Sequence, residues 1–147
     1  MAFRRHILGA VALSAFLGFS STASAQNRTF SFAYDQPPTT AYGIAANIFD
    51  AKLKELSSGK MSINQFPGAQ LGQEPQMLQK MRAGDIDFVI TSTANASTVA
   101  PQAGVFSLHF LFRDQNHLAK SLADPAISQA FRDMTKESVT GARTLGL

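Results

Sequence analysis

Apolar residues fall at every second position in the stretch TFSFAY, where Phe30, Phe32 and Tyr34 share one side; this period predicts a strand over residues 29–34. Pro37 and Pro38 follow and admit neither a sheet ladder nor a helix interior. Thr39 or Thr40 then stands where a helix cap is needed. Over residues 41–58 the period changes: Ile44, Ala45, Ile48, Phe49, Leu53 and Leu56 recur at three- and four-residue spacing, interrupted by Lys52, which predicts an amphipathic helix. Gly59 occupies the left-handed position that ends such a helix. A second strand is expected over residues 60–66, with Met61 and Ile63 on one face.

Pro67-Gly68 turns the chain, and Gly72 precedes a helix that carries Pro75 in its first turn, where a missing N–H costs least. Met77, Leu78 and Met81 form its apolar side and Gly84 ends it. The nearly all-apolar run IDFVIT, residues 86–91, predicts a third strand covered on both faces. Strand, helix, strand, helix, strand is the order of an α/β sheet with right-handed crossovers. Beyond it, STANASTVAPQAG is rich in small and polar residues and lies where ligands gather in open α/β sheets, at the carboxyl end of a strand. VFSLHFLF reads as a buried apolar segment. Asp114 and Asp124-Pro125 are placed to cap two more helices, about 115–122 and 126–138, and ARTLGL begins another strand.

The first 25 residues carry a different pattern. MAFRRH is a short cationic start, ILGAVALSAFLGF an apolar run, and Ala23 and Ala25 are small residues at the spacing of a signal-peptide cleavage site. The run is shorter than the roughly 20 residues that span a bilayer, so export and cleavage after Ala25 are expected rather than anchoring. The chain holds no cysteine, which excludes disulfides, thiol nucleophiles and cysteine-based metal sites. An exported protein of this kind depends on its core for stability, and 45% hydrophobic residues against 16% charged suits one. Of thirteen Lys and Arg, Arg4 and Arg5 lie in the leader, leaving eleven against ten Asp and Glu. No basic stripe remains, which argues against nucleic acid as a partner.

Enzyme motifs are scarce. GAQLG is neither a dinucleotide fingerprint nor a phosphate loop, since no Lys-Ser/Thr follows Gly72. Neither G-x-S-x-G nor H-E-x-x-H occurs. After the leader only His109 and His117 are present, one inside an apolar segment and one on an expected surface helix. Asp85 and Asp87 flank Ile86 and share a face if the segment is a strand, but they lie at the end of the sheet opposite to a ligand site. The polar groups at the ligand end are Asp35, Gln36, Thr39 and Thr40 after the first strand, and Thr91, Ser92, Thr93 and Asn95 after the third. Their hydroxyls, amides and carboxylate suit hydrogen bonding to a small polar ligand. Ordinary turn and capping use explains each of them as well.

In order along the chain, FSFAYDQPPTTAYGIAANIFDAKLKELSSGKMSI, FPGAQLGQEPQMLQKMRAGDIDF, TSTAN and GVFSLHFLFRDQNHLAKSLADP resemble the N-terminal part of a DctP-type extracytoplasmic solute receptor, the soluble component of a TRAP transporter. The resemblance covers nearly all of residues 27–147. One departure is His109, where family members usually have proline before the equivalent of Phe110. The resemblance implies an α/β, periplasmic-binding-protein-like two-lobe fold that closes over a small organic acid, catalyses no reaction and uses no cofactor or metal. Uptake driven by a sodium-ion gradient would then proceed through a small and a large integral membrane partner. It also implies ligand contacts from the turn at residues 35–40 and from Ser92 and Asn95. The family's arginine clamp for the ligand carboxylate lies beyond the strand expected at Arg143.

Such receptors run to roughly 300 residues, about two lobes of ordinary domain size. This chain is therefore expected to comprise a signal peptide, residues 1–25, and most of the first lobe, residues 26–147, with a sheet edge left open, poor stability and weak binding by itself. Two other readings compete. One is an ABC-type periplasmic solute-binding protein, which shares the two-lobe logic. The other is a small exported α/β hydrolase, for which His109 or His117 would have to serve as base.

Overall fold

The computed structural model describes residues 27–138 and 141–146, so the expected signal peptide lies outside the described residues. Strand β1 (Arg28–Ala33) leads into helix α1 (Ala41–Leu56), strand β2 (Met61–Phe66), helix α2 (Glu74–Ala83) and the short strand β3 (Phe88–Val89). Helix α3 (Thr93–Ala96), a 3-10 helix (Pro101–Ser107), α4 (Gln115–Ala123) and α5 (Pro125–Ser138) follow. The three strands form a parallel sheet in the order β2-β1-β3, with Arg28 opposite Met61 and Phe32 opposite Phe88. Parallel neighbours need crossover connections, which α1 and α2 supply.

Strand β1 lies at the centre, and its alternating side chains feed two layers. Phe32 and Tyr34 pack with Ala46, Tyr42 and Phe49 of α1, while Ala33 packs with Met77 and Met81 of α2 and with Ile86. A third cluster joins Leu78 of α2 to Val99, Ala100, Ala103 and Phe131, tying the later helices to the sheet. The aromatic group Phe30, Phe32, Phe49 and Phe88 stacks edge-on or tilted at centroid separations of 5.0 to 6.0 Å. The expected caps form at α4 and α5: the Asp114 side chain accepts from the His117 N–H at 2.7 Å, and Asp124 from the Ala126 N–H at 2.8 Å. Gly84 ends α2 in the left-handed conformation, φ 91°.

Several expectations are corrected. On α1 the buried positions are Gly43 and Ala46, whereas Ile44, Ile48 and Leu56 stay 54%, 65% and 74% exposed. The helix rests on the sheet through Ala46, Tyr42 and Phe49, and its start lies so close to the preceding turn that the Pro38 carbonyl leaves no room for a Cβ at Gly43. The third strand pairs only over Phe88–Val89, extended by the Ile90 N–H to the Ala33 carbonyl at 3.1 Å. Of residues 86–91 only Ile86 is buried; β3 is an edge strand, and among the described residues nothing pairs its outer side. The segment VFSLHFLF is not buried: Phe106 packs edge-on to Phe131, but Leu108 is 60% and Phe110 100% exposed, Phe110 at φ 62°. Residues 142–146 form no strand. They run along α5 instead, with Arg132 donating to the Leu145 carbonyl at 3.3 Å and Thr135 and Thr144 hydroxyls 2.9 Å apart.

Candidate ligand site at the carboxyl ends of the strands

The parallel sheet delivers two loops to one end: residues 35–40 after β1 and residues 91–95 after β3. Helix α2 starts between them in space. Its first turn is built by a reciprocal cap in which the Gln76 side chain accepts from the Gln73 N–H at 3.0 Å and the Gln73 side chain accepts from the N–H of residue 76. Gly72 reaches this turn at φ 112°, and Pro75 fits where no intrahelical N–H is required. The result fixes Glu74, 4% exposed, beneath the loop after β3.

One oxygen of Glu74 organises that loop. Its Oε2 accepts from the Thr91 hydroxyl at 2.8 Å, the Ser92 N–H at 3.0 Å, the Ser92 hydroxyl at 2.9 Å and the Asn95 amide at 2.6 Å. The Tyr42 hydroxyl, from the first turn of α1, donates to Oε1 at 3.5 Å. Burial is the largest single influence on this carboxyl and pushes its pKa up, but the bonds from Ser92, Asn95 and Thr91 together outweigh it and hold the pKa below the ordinary value. The Tyr42 hydroxyl is pushed up, first by burial and then by the negative charges of Glu74 and Asp35. Ser92 serves α3 too, its oxygen accepting from the Asn95 N–H at 3.2 Å.

Of the residues singled out in the sequence, the fold brings Thr91, Ser92 and Asn95 together around Glu74, with Asp35 close enough to act on Tyr42. Gln36 and Thr39 are exposed; the Gln36 amide donates to Asp35 at 3.2 Å, and neither residue bonds to Glu74 or its loop partners. Thr40 occupies the N-cap of α1, yet its hydroxyl donates back to the Pro37 carbonyl at 2.7 Å and caps nothing. Thr93 shares a hydrogen bond with Ser107 at 3.3 Å instead. Glu74 and Tyr42 were missed. An acidic residue in the first turn of a helix is what the helix dipole favours anywhere, so only its place in the F-P-x-x-Q-L-G-x-E pattern distinguished Glu74.

His117 accepts from the Arg113 N–H at 3.2 Å, and His109 is exposed beside Phe110. Asp87 is bound by the Ser31 N–H at 2.9 Å, the Ser31 hydroxyl at 2.8 Å and Arg28 at 3.4 Å, while Asp85 is exposed, so the two carboxylates do not work as a pair. Beside the loop, an open groove of about 890 Å³ follows the outer edge of β3, from Thr91 past Phe88 and Phe49 to Phe131 and Leu145.

Residues 32–145 match the family described as bacterial extracellular solute-binding protein, family 7, or DctP. The chain is 30% identical over 112 residues to the C4-dicarboxylate-binding protein DctB of Bacillus subtilis, covering 76% of this chain and 32% of that protein. Among solved structures, a TRAP periplasmic solute-binding protein from Polaromonas sp. JS666 bound to D-erythronate superposes with a TM-score of 0.69 at 27% identity, over 75% of this chain and 36% of that one. Another from Sulfurospirillum deleyianum, with bound succinate, gives 0.66 at 26% identity over 76% and 36%. An α/β fold with a parallel sheet is thus shared with TRAP solute-binding proteins. This chain belongs to the DctP family of bacterial extracellular solute-binding proteins, a family of receptors rather than enzymes. It spans about a third of the length of the curated relatives it matches.

Proposed function

We propose that this chain is the N-terminal part of the first lobe of a TRAP-type receptor that captures a small organic acid for uptake across the membrane. The family match across residues 32–145 carries this reading. Relatives that bind C4-dicarboxylate, D-erythronate and succinate support a carboxylate ligand. Residues 1–25 act as the export signal, cleaved after Ala25, and residues 26–147 work in the periplasm. Asp35, Gln36, Thr39, Thr40, Thr91, Ser92 and Asn95 line one wall of the ligand cleft. The small and large integral membrane subunits of the transporter receive the loaded receptor.

Titration calorimetry on the receptor made from its native gene, against a panel of mono- and dicarboxylates, neutral sugars and short peptides, tests this reading. Saturable heat with carboxylates alone is the expected result. Binding confined to neutral sugars or peptides would overturn the organic-acid reading.

A further inference from the structure

The bonds to Glu74 have a chemical consequence for whatever meets the loop. A hydroxyl owns one proton and two lone pairs, and an ionised carboxylate only accepts. At 2.8 and 2.9 Å the protons of Thr91 and Ser92 are therefore directed at Glu74 Oε2, leaving the Thr91 oxygen to act towards a ligand as an acceptor, and the Ser92 oxygen with the one lone pair not used by the Asn95 N–H at 3.2 Å. The Ser92 N–H points to the same oxygen, at 3.0 Å. Asn95 keeps one amide proton and its whole carbonyl oxygen, since the other proton goes to Glu74 at 2.6 Å. Thr91, Ser92 and Asn95 are only partly buried, so each keeps some exposed surface beside the buried carboxylate. Among the described residues no Lys or Arg bonds to Glu74 to offset its charge. A ligand carboxylate needs donors and an alcohol O–H needs an acceptor; this loop supplies mainly the second.

We propose that Glu74 is a positioning residue that sets the hydrogen-bonding polarity of residues 91–95, so that this wall reads ligand hydroxyls and favours hydroxylated acids over acids of equal length without them. The inference rests on the organic-acid reading for its ligand, but not for the role of Glu74 in the loop. A wall built to accept from an alcohol leaves its acceptors unpaired when the alcohol is missing, which is the strong form of discrimination.

Two measurements on the receptor made from its native gene test it. The first is calorimetry with three four-carbon probes: D-erythronate, succinate and butyrate. Wild-type receptor is expected to prefer D-erythronate by about tenfold or more, and Glu74→Gln, which puts an N–H among the donors, to reduce that preference by about tenfold. Glu74→Asp keeps the charge and is expected to retain a weaker preference; it also replaces the Gln variant if that protein does not fold. A preference for succinate or butyrate in wild type, or a uniform loss of affinity in the variants with the ratio unchanged, overturns the proposal. The second measurement is amide hydrogen exchange at Ser92 and Asn95 without ligand. Slow exchange in wild type that accelerates about tenfold or more in Glu74→Gln, relative to β1, supports the positioning role, and equal exchange overturns it. If no acid binds wild-type receptor, the organic-acid reading and the hydroxyl preference fail together, and the exchange result still decides the role of Glu74.

Discussion

Helices α1 and α2 cover opposite faces of one sheet, and both carry apolar residues at helical spacing. On α2 the stripe is buried as its pattern requires, with Met77 at 0% and Leu78 at 3% exposure. On α1 the corresponding stripe is split, with Phe49 and Leu53 half-buried and Ile44 and Ile48 more than half exposed. The difference lies in what stands opposite each helix. Helix α2 is held between β1, Ile86 and the cluster of Val99, Ala103 and Phe131. Helix α1 packs on the sheet through Ala46, Tyr42 and Phe49, and among the described residues the side that carries Ile44 and Ile48 stays exposed. A periodic stripe states which surface is apolar, and only a second layer makes it core.

The largest effect that would sharpen this contrast is Met77→Ala. Truncating a fully buried Met beneath β1 should cost about 2–5 kcal/mol in urea unfolding, and a cost under about 1 kcal/mol would mean that α2 is no better packed than α1. Gly43→Ala should follow at about 1–3 kcal/mol, since the new Cβ collides with the Pro38 carbonyl and either α1 or the Pro37-Pro38 turn must shift. An unchanged unfolding midpoint would break the account of how α1 sits.

Acid should act next, through the carboxylates that lock each crossover. Asp50 of α1 is lowered first by its bond from Lys54 and also binds the Ile63 N–H of β2; Asp87 is lowered first by the Ser31 N–H; Glu74 is lowered as described. A folded-state pKa below the unfolded one stabilises above the unfolded value, and that stability is lost as pH falls through the folded value. The unfolding midpoint should therefore hold from pH 7 to about 5 and decline below about pH 4. In Glu74→Gln that decline should be shallower, and an identical acid slope would remove Glu74 from the set. Ile48→Gln should have the smallest effect, within about 0.5 kcal/mol of wild type, because the side chain is already exposed. A loss above about 1.5 kcal/mol would show that α1 is covered after all, by a second copy or by further chain.

Much of the fold was legible because the signals are local. The strand period at Phe30 and Phe32, the stop at Pro37-Pro38, the left-handed Gly84 and the caps at Asp114 and Asp124 all act within a few residues, and each appears where its chemistry calls for it. The candidate site was legible in part. Polar loops at the carboxyl ends of the strands follow from parallel topology, and Thr91, Ser92 and Asn95 do converge there. Glu74 was not, because its partners in the loop lie 17 to 21 residues away and no spacing rule connects a helix start to a loop beyond the next strand.

The sequence by itself determined where the first strands and helices begin and end, and that the sheet would be parallel, since period, proline and glycine set those outcomes through backbone sterics. Tertiary structure alone decided which apolar residues became core. Phe88 and Ile90 are only half-buried and Phe110 fully exposed, although the sequence around each reads as interior, because burial needs a partner surface as well as an apolar side chain. It also decided that residues 142–146 lie along α5 rather than in the sheet, as a strand exists only through hydrogen bonds to a neighbour. The same dependence on distant partners turned a helix-start carboxylate into the anchor of the candidate ligand loop.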